Sequence, residues 1–396
     1  MITPSTHGEL SKLNWTTLSD ERAGAVEPNK EIRRAALIMT GACNFACPYC
    51  KTLGGDRAPT LDRDETLTLL DHMIGKGLKD LRLSGGEPTI VSWLPELVER
   101  ATKAGVSVAI SSNGYAPWSV YQALIDAGMS ECSISLDTLD PEEADRLAGG
   151  RKDVLSRVTN TIKTLADKGV RVYIGMTCCE SSSTAIGMKD TVAKADALGA
   201  TDIKIMPPVQ EGDLLNTEWL TERMAKRFPF LAWRSHNFAL GCGVRGMKES
   251  DCSKCALALD DVTVAGGKHY PCNVYFREGG EAIGKVGEDM LAQRAAWYEG
   301  HNSLEDPICK NMCMDLLRTY NNRVREMYME QSNFARNRVR KMTGAHTVIL
   351  TQREAEETIC AIAILRGQDP SALLKGAQEA ISKELNPKKR NKYGVK

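Results

Sequence analysis

The sequence predicts an α/β chain: a partial (β/α)6 barrel, then a small cysteine-bearing unit, then a helical C-terminal extension. Three observations lead there. Between Arg34 and Met206, short apolar runs alternate with amphipathic stretches of helical period, the pattern of parallel strands joined by right-handed helical crossovers. Glycines at 105, 128 and 169 stop the helical stretches. Polar segments rich in cysteine, glycine and serine follow the apolar runs. They therefore lie at strand carboxyl ends, where parallel barrels gather their chemistry.

Ala35 to Met39 is an apolar run that reads as a buried first strand delivering a cysteine loop at its end. Leu67, Leu70 and Ile74 stripe one face of the helix that follows. Leu81 to Ser84 is the second strand, Leu94 to Ala101 the next helix, and Val106 to Ser111 the third strand. A helix ending at Gly128 leads to the fourth strand, Cys132 to Leu136. Val158, Ile162 and Leu165 stripe the helix before the fifth strand, Val170 to Met176, and Ile203 to Met206 is the sixth. The resulting division is a polar arm over 1–31, ending in the linker Glu27-Pro28-Asn29-Lys30-Glu31, a barrel over 32–230, a second cysteine unit over 231–320 and a basic helical extension over 321–396.

Composition narrows the class. At 396 residues, with 42% apolar residues, the chain has material for two or three domains and a sizeable core. Met1 to Asn14 lacks the apolar run of a signal peptide, and no stretch approaches the ~18 apolar residues of a membrane span. The expectation is a soluble, cytoplasmic protein with no membrane partner. Its 13 cysteines then read as metal ligands and buried thiols rather than disulfides. With 51 basic and 51 acidic residues there is no global pull towards nucleic acid.

In Gly41-Ala-Cys43-Asn-Phe-Ala-Cys47-Pro-Tyr-Cys50, three cysteines stand three and then two residues apart. A loop of this spacing can hold three corners of an iron-sulfur cube. A 4Fe-4S cluster held wholly by protein takes four thiolates, so the last iron is left for an exchangeable ligand. A structural zinc site is the competing reading, but zinc motifs pair C-x2-C with another pair or with histidines, and the next eighty residues supply no such pair.

With its aromatic Tyr49 before the last cysteine, this loop resembles the signature of the radical S-adenosylmethionine (radical SAM) superfamily. Ser84-Gly85-Gly86-Glu87-Pro88 resembles that family's second motif, which contacts the methionine amino group of the cofactor; Ser111-Ser-Asn-Gly114 and Ser133-Ile-Ser-Leu-Asp137 resemble its later strand-end motifs. The resemblance covers residues 32–225 closely and implies a TIM-type partial barrel. It implies that Cys43, Cys47 and Cys50 bind a catalytic 4Fe-4S cluster and that Tyr49, Gly85, Gly86, Glu87 and Pro88 belong to the cofactor site. Ser112 and Asn113 would lie near S-adenosylmethionine, Ser135 and Asp137 near its ribose or methionine end, and Met206 near adenine through its backbone. Glu180 also follows a strand end. The implied activity is reductive cleavage of S-adenosylmethionine to a 5'-deoxyadenosyl radical, which abstracts hydrogen from a substrate C–H bond. Such an enzyme would be oxygen-sensitive and would draw electrons from a donor such as flavodoxin or ferredoxin. On physical grounds Gly85 and Gly86 allow close backbone approach, Glu87 offers a carboxylate beside an amine, and Pro88 stiffens the turn.

A second set comprises Cys255, Cys272 in Gly267-Lys-His-Tyr-Pro-Cys272, and Cys309 and Cys313. It resembles the SPASM pattern, more closely its shortened Twitch form, and implies a second, auxiliary 4Fe-4S cluster with all four sites filled by protein. Cys252 stands at C-x2-C spacing from Cys255, which keeps a zinc site open and makes Cys252 an alternative ligand. Gly241 to Gly246 fits G-x-G-x-x-G but opens no βαβ unit, so dinucleotide binding is rejected. Cys178, Cys179 and Cys360 read as buried thiols.

For the substrate, the motifs are silent. Leu317, Tyr320, Val324 and Tyr328 follow helical spacing, and 321–343 and 383–396 each hold six basic residues against two and one acidic. Such clusters can neutralise phosphates, although charge runs are usually solvated faces. The 31 residues before the barrel are too few for a peptide-recognition domain. The expectation is therefore a nucleotide or nucleic-acid-borne substrate. The alternatives are a peptide-modifying enzyme, a small-metabolite dehydrogenase, or a structural metal-containing binding protein.

Overall fold

Why the chain folds as it does is clearest at its first strand. In the computed structural model, which describes residues 18–51, 58–178, 180–208 and 212–328, β1 (Arg34–Ile38) is buried at every position, as an apolar strand covered on both faces must be. A short helix, α1 (Asp20–Ala25), precedes it. After it come α2 (Arg63–Gly75), β2 (Asp80–Ser84), α3 (Leu94–Lys103), β3 (Ser107–Ser112), α4 (Trp118–Asp126) and β4 (Glu131–Ser135). The chain continues through α5 (Pro141–Leu147), α6 (Val154–Asp167), β5 (Arg171–Thr177), α7 (Ala185–Ala197) and β6 (Asp202–Met206). All six expected strands are present, each displaced from its apolar run by no more than one residue.

These six strands form one parallel sheet in the order β6-β5-β4-β3-β2-β1, the open, partial barrel that the alternation predicts. Alternate strand residues such as Leu81, Leu83, Val108, Ile134, Ile174 and Ile205 join a core with Leu70, Leu97, Ile162 and Val192 from the covering helices. Each such buried side chain contributes roughly 1.5–3 kcal/mol. The other face of the same strands carries Arg82, Ser111, Glu131, Ser133, Gly175 and Lys204, by the period-two alternation of side chains. A closed barrel fills its centre with bulky branched residues. Here small and polar residues leave a concavity.

Past β6 the chain forms α8 (Glu222–Arg227), α9 (Pro229–Ala239), α10 (Leu257–Asp260), β7 (Asp261–Ala265), β8 (Lys268–Tyr270), α11 (Asn273–Arg277), β9 (Gly284–Lys285), α12 (Met290–Gly300), α13 (Pro307–Met312) and a helix, α14, over 315–328. β7 pairs parallel to β1, and β8 and β9 extend the sheet antiparallel. The β7–β8 loop is Gly266-Gly267 with φ +53° and +70°, the left-handed pair a tight two-residue hairpin requires. One sheet thus runs from the barrel into the second cysteine unit. Ion pairing fastens the junction: Arg34 donates to Asp261 at 2.9 Å and Arg22 grips both oxygens of Asp260 at 2.7 Å.

The stripe at Leu317, Tyr320, Val324 and Tyr328 is on α14, where Tyr320 and Val324 are buried and Leu317 and Tyr328 partly so. It packs with Leu18, Ala23 and Val26 of the N-terminal segment and with Phe230 and Leu257. The described part of the arm therefore lies on the extension. Residues 1–17, 329–343 and 383–396 and Cys360 lie outside the described residues. Among those described, no helix is long and apolar enough to cross a membrane.

Candidate active site and cysteine centres

The loop after β1 is stitched to the loop after β2. Gly86 N–H donates to the Thr40 carbonyl at 2.7 Å and Glu87 N–H to the Ala42 carbonyl at 2.9 Å. The two glycines are required by this contact. A Cβ on Gly86 would lie 2.1 Å from the Ala42 carbonyl oxygen, and one on Gly85 2.5 Å from that of Thr40. The crowding that excludes side chains here thus comes from the cysteine loop's own backbone. Arg151 Nε braces the loop from α5–α6 by donating to the Asn44 carbonyl at 2.8 Å.

Glu87 is buried. Its Oε1 accepts from the Thr89 N–H (3.1 Å) and hydroxyl (2.6 Å), and its Oε2 accepts from the Asn113 N–H at 2.7 Å. The carboxylate therefore ties the end of β2 to the end of β3, with lone pairs left for a further donor. Burial pushes its carboxyl up from the ordinary range, and the Thr89, Asn113 and Ser112 donors oppose the rise. Asn113 Nδ2 donates to Asn44 Oδ1 at 2.7 Å, fixing it against the cysteine loop. Ser112 shares a 2.8 Å bond with the Tyr121 hydroxyl and caps Gly114 N–H.

Tyr49 donates its hydroxyl to Asp137 Oδ2, and Thr177 N–H donates to Asp137 Oδ1 at 2.7 Å. The cysteine loop is so anchored to the ends of β4 and β5. Burial pushes the Asp137 carboxyl up to about 6 against the pull of these donors. Together these residues surround a cleft of about 260 Å³ at the carboxyl ends of the strands. Cys43, Cys47, Tyr49, Cys50, Gly85, Gly86, Glu87, Ser112, Asn113, Ser135 and Asp137 all line it. Two predicted residues do not. Pro88 is buried at the start of a 3-10 turn, Pro88–Ile90, and the Met206 carbonyl accepts the Cys178 N–H at 2.8 Å.

The thiols suit a cationic group. Burial pushes the Cys47 thiol up to about 12, with the Asp137, Cys50 and Cys43 charges adding to the rise; burial also raises Cys43. Bringing three thiolates together is costly without positive charge among them, and a bound metal removes that cost. Cys43 and Cys50 are exposed to the cleft, and among the described residues no fourth cysteine lines it. The donor set fits a cluster with one open corner.

Among the cleft residues that sequence reasoning missed is Arg277. It ends α11, whose N-cap is Cys272, and it donates Nη2 to the Gly85 carbonyl at 3.3 Å. Its neighbour Glu278 pairs with Lys51 beside Cys50. The only signal was its place five residues after a candidate ligand.

Cys255, Cys272, Cys309 and Cys313 line a second small pocket, to which Cys252 does not contribute. Burial raises all four thiols, Cys272 to about 12, and for Cys272, Cys309 and Cys313 the neighbouring cysteines of the set add to it. Four converging thiols fit a fully ligated cluster. Asn321 Nδ2 stands 3.6 Å from Cys255 Sγ and His301 Nε2 3.5 Å from Cys309 Sγ. His301, Asp306 and Cys309 also offer three ligand atoms within 4.8 Å of one another, so this corner retains a mixed-ligand arrangement.

Cys178 is fully buried; Cys179 lies outside the described residues, and Glu180 begins a 3-10 turn after β5. The segment Gly241 to Gly246 follows α9 as a connecting loop, with Arg318 Nη2 donating to the Gly243 carbonyl at 2.6 Å. No strand-turn-helix unit surrounds it.

The profile of the Radical SAM superfamily matches residues 37–180. A GTP 3',8-cyclase of Campylobacter fetus is 35% identical over 151 residues, 36% of this chain and 46% of that protein. A probable GTP 3',8-cyclase of Sulfolobus acidocaldarius is 30% identical over 144 residues, 36% and 45% of the two chains. The chain thus spans about half the length of these curated relatives. Among solved structures, Streptococcus suis SuiB aligns over 71% of this chain and 67% of its own, with 13% identity and a TM-score of 0.49.

Proposed function

We propose, for a chain whose residues 37–180 match the profile of the Radical SAM superfamily, that the protein is a radical SAM enzyme acting on a nucleotide or nucleic-acid-borne group, with two 4Fe-4S clusters. The observation that carries the reading is the meeting of Cys43, Cys47 and Cys50 with Glu87, Asn113 and Asp137 in one cleft at the strand ends. When bound there, a 4Fe-4S cluster and S-adenosylmethionine would supply a 5'-deoxyadenosyl radical able to remove hydrogen from an unactivated carbon. The chain's own work is positional. Cys43, Cys47 and Cys50 hold the cluster, Glu87 and the Gly85–Gly86 backbone set the wall beside it, and Tyr49 and Asp137 fix the loop relative to β4 and β5. Cys255, Cys272, Cys309 and Cys313 hold the second cluster, with every site filled and so an electron-transfer or structural role.

Two observations support a nucleotide as substrate. Curated relatives at 30–35% identity over about a third of this chain include GTP 3',8-cyclases, and the C-terminal sequence is rich in basic residues. The test is anaerobic reconstitution, iron analysis and assay with a panel of nucleotides, reading 5'-deoxyadenosine and substrate mass. Roughly eight irons per chain are expected. The variant with alanine at 43, 47 and 50 should lose about half the iron and all cleavage of S-adenosylmethionine. Cleavage surviving in that variant would sink the radical SAM reading; a panel in which no nucleotide stimulates 5'-deoxyadenosine formation would sink the nucleotide.

A further inference from the structure

Arginines buried in this protein are matched to specific acceptors. Arg22 grips Asp260, Arg34 pairs with Asp261, and Arg234 binds both oxygens of Asp315 at 2.8 and 2.6 Å. Arg294 is held by the Tyr270 and Asp261 carbonyls. Arg277 resembles Arg294 in having only neutral acceptors, the Gly85 carbonyl and Asn273 Oδ1 at 3.1 Å, but it is partly buried and, unlike the other arginines named here, lines the cleft. Among the described residues, no carboxylate lies within the 4.0 Å of an ion pair. The nearby acids are engaged elsewhere: Glu278 with Lys51, Glu87 with Thr89 and Asn113, Asp137 with Tyr49 and Thr177.

A partly buried guanidinium that forms no ion pair, with only the Cys50 and Glu278 charges near it, is unfavourably placed in an otherwise complete fold. It becomes favourable once an oxyanion fills the cleft, because the planar fork matches carboxylate and phosphate bidentately. α11 gives the residue a second constraint, since its other end is Cys272 of the second cysteine set. We propose that Arg277 is the anion-recognition residue of the cleft, binding a carboxylate or phosphate oxygen of a molecule seated there. The proposal rests on the radical SAM reading of that cleft. Two sources share this chemistry: the carboxylate of S-adenosylmethionine and the phosphates of a nucleotide substrate.

Equilibrium binding separates them. Anaerobically reconstituted wild type, R277Q and R277K are titrated with S-adenosylmethionine, with its decarboxylated analogue and with GTP, alongside iron analysis and thermal melting. R277Q should keep its iron and its melting temperature. It should lose roughly 10- to 100-fold in affinity for an anionic ligand, the loss expected for a charged hydrogen bond, and R277K should recover part of it. A loss for S-adenosylmethionine but not for the decarboxylated analogue identifies the cofactor carboxylate; a loss for GTP alone identifies the phosphates. The proposal is overturned if R277Q binds S-adenosylmethionine as wild type does and GTP binding is absent or unchanged, or if R277K is as impaired as R277Q and both melt early. Failure of the wild type to hold iron or bind S-adenosylmethionine overturns the reading of the cleft and the proposal with it, so the two failures are told apart.

Discussion

Substituting Gly86 by alanine tests the central geometry with a single methyl group. The new Cβ would meet the Ala42 carbonyl oxygen at 2.1 Å, the Ala42 carbonyl carbon at 2.6 Å and the Gly41 carbonyl oxygen at 2.8 Å. Carbon and oxygen rest at about 3.3 Å or more, so the two loops must separate by about 1 Å. All three obstacles are backbone, and no side-chain rotation relieves them. The same separation stretches the Gly86 to Thr40 and Glu87 to Ala42 hydrogen bonds, now 2.7 and 2.9 Å. A misplacement of this size in a reacting site costs about 10²-fold in rate. The expected result is a fall of that order in reductive cleavage of S-adenosylmethionine, with the iron of the second cysteine set retained. Gly105→Ala is the control: its φ is +79° but nothing lies within 4 Å of the added Cβ, so it carries conformational strain without collision. If G86A cleaves S-adenosylmethionine at the wild-type rate while folding normally, the cysteine loop is not positioned by this contact and the argument fails.

Cys272→Ala and Cys313→Ala should each lose the second cluster while part of the uncoupled cleavage of S-adenosylmethionine survives, and Cys252→Ala should leave iron content unchanged because Cys252 stands outside the pocket. Zinc rather than iron recovered from this site by metal analysis would refute the auxiliary cluster. The Asp137 carboxyl, pushed up to about 6 by burial, gives a pH signature. Because the fold favours its protonated form, its charge destabilises the metal-free protein as pH rises from the ordinary carboxylate range through about 6. The loss is at most about 3 kcal/mol, less after solvent screening. Denaturant melts of wild type and D137N across that window should therefore converge at low pH and diverge above it, wild type being the less stable; parallel curves would refute the assignment.

Strands were legible because each is a short apolar run bounded by polar or glycine-rich residues. The face joining the covering helices holds Leu83, Ile110 and Ile174, and burial of such residues dominates the local choice of structure. The cysteine loop, Ser84 to Pro88 and Asp137 were legible as strand-end motifs. Pro88 follows β2 and Met206 ends β6, but sequence order alone does not say which residue turns into the cleft. The part of the sheet formed by β7, β8 and β9 was not foreseen. β7 pairs with β1 across more than 200 residues of chain, Leu37 against Val264, and local pattern carries no information about so distant a partner. Nor did the sequence distinguish Cys252 from Cys255, because both satisfy the same spacing.

The sequence by itself determined the barrel strands, the three-cysteine loop at the end of the first of them, and the two groups into which the ligand-type cysteines fall. These follow from periodicity and spacing, which are local properties. Only the tertiary structure decided that Glu87 ties β2 to β3, that Tyr49 and Asp137 meet, that Cys255 rather than Cys252 shares a pocket with Cys272, Cys309 and Cys313, and that Arg277 reaches the cleft from the second cysteine unit. Each of these depends on where remote segments are brought by packing: the outer faces of the strands bury against helices, the sheet extends through β7, and the side chains left at its carboxyl edge face one another across space that no sequence interval measures.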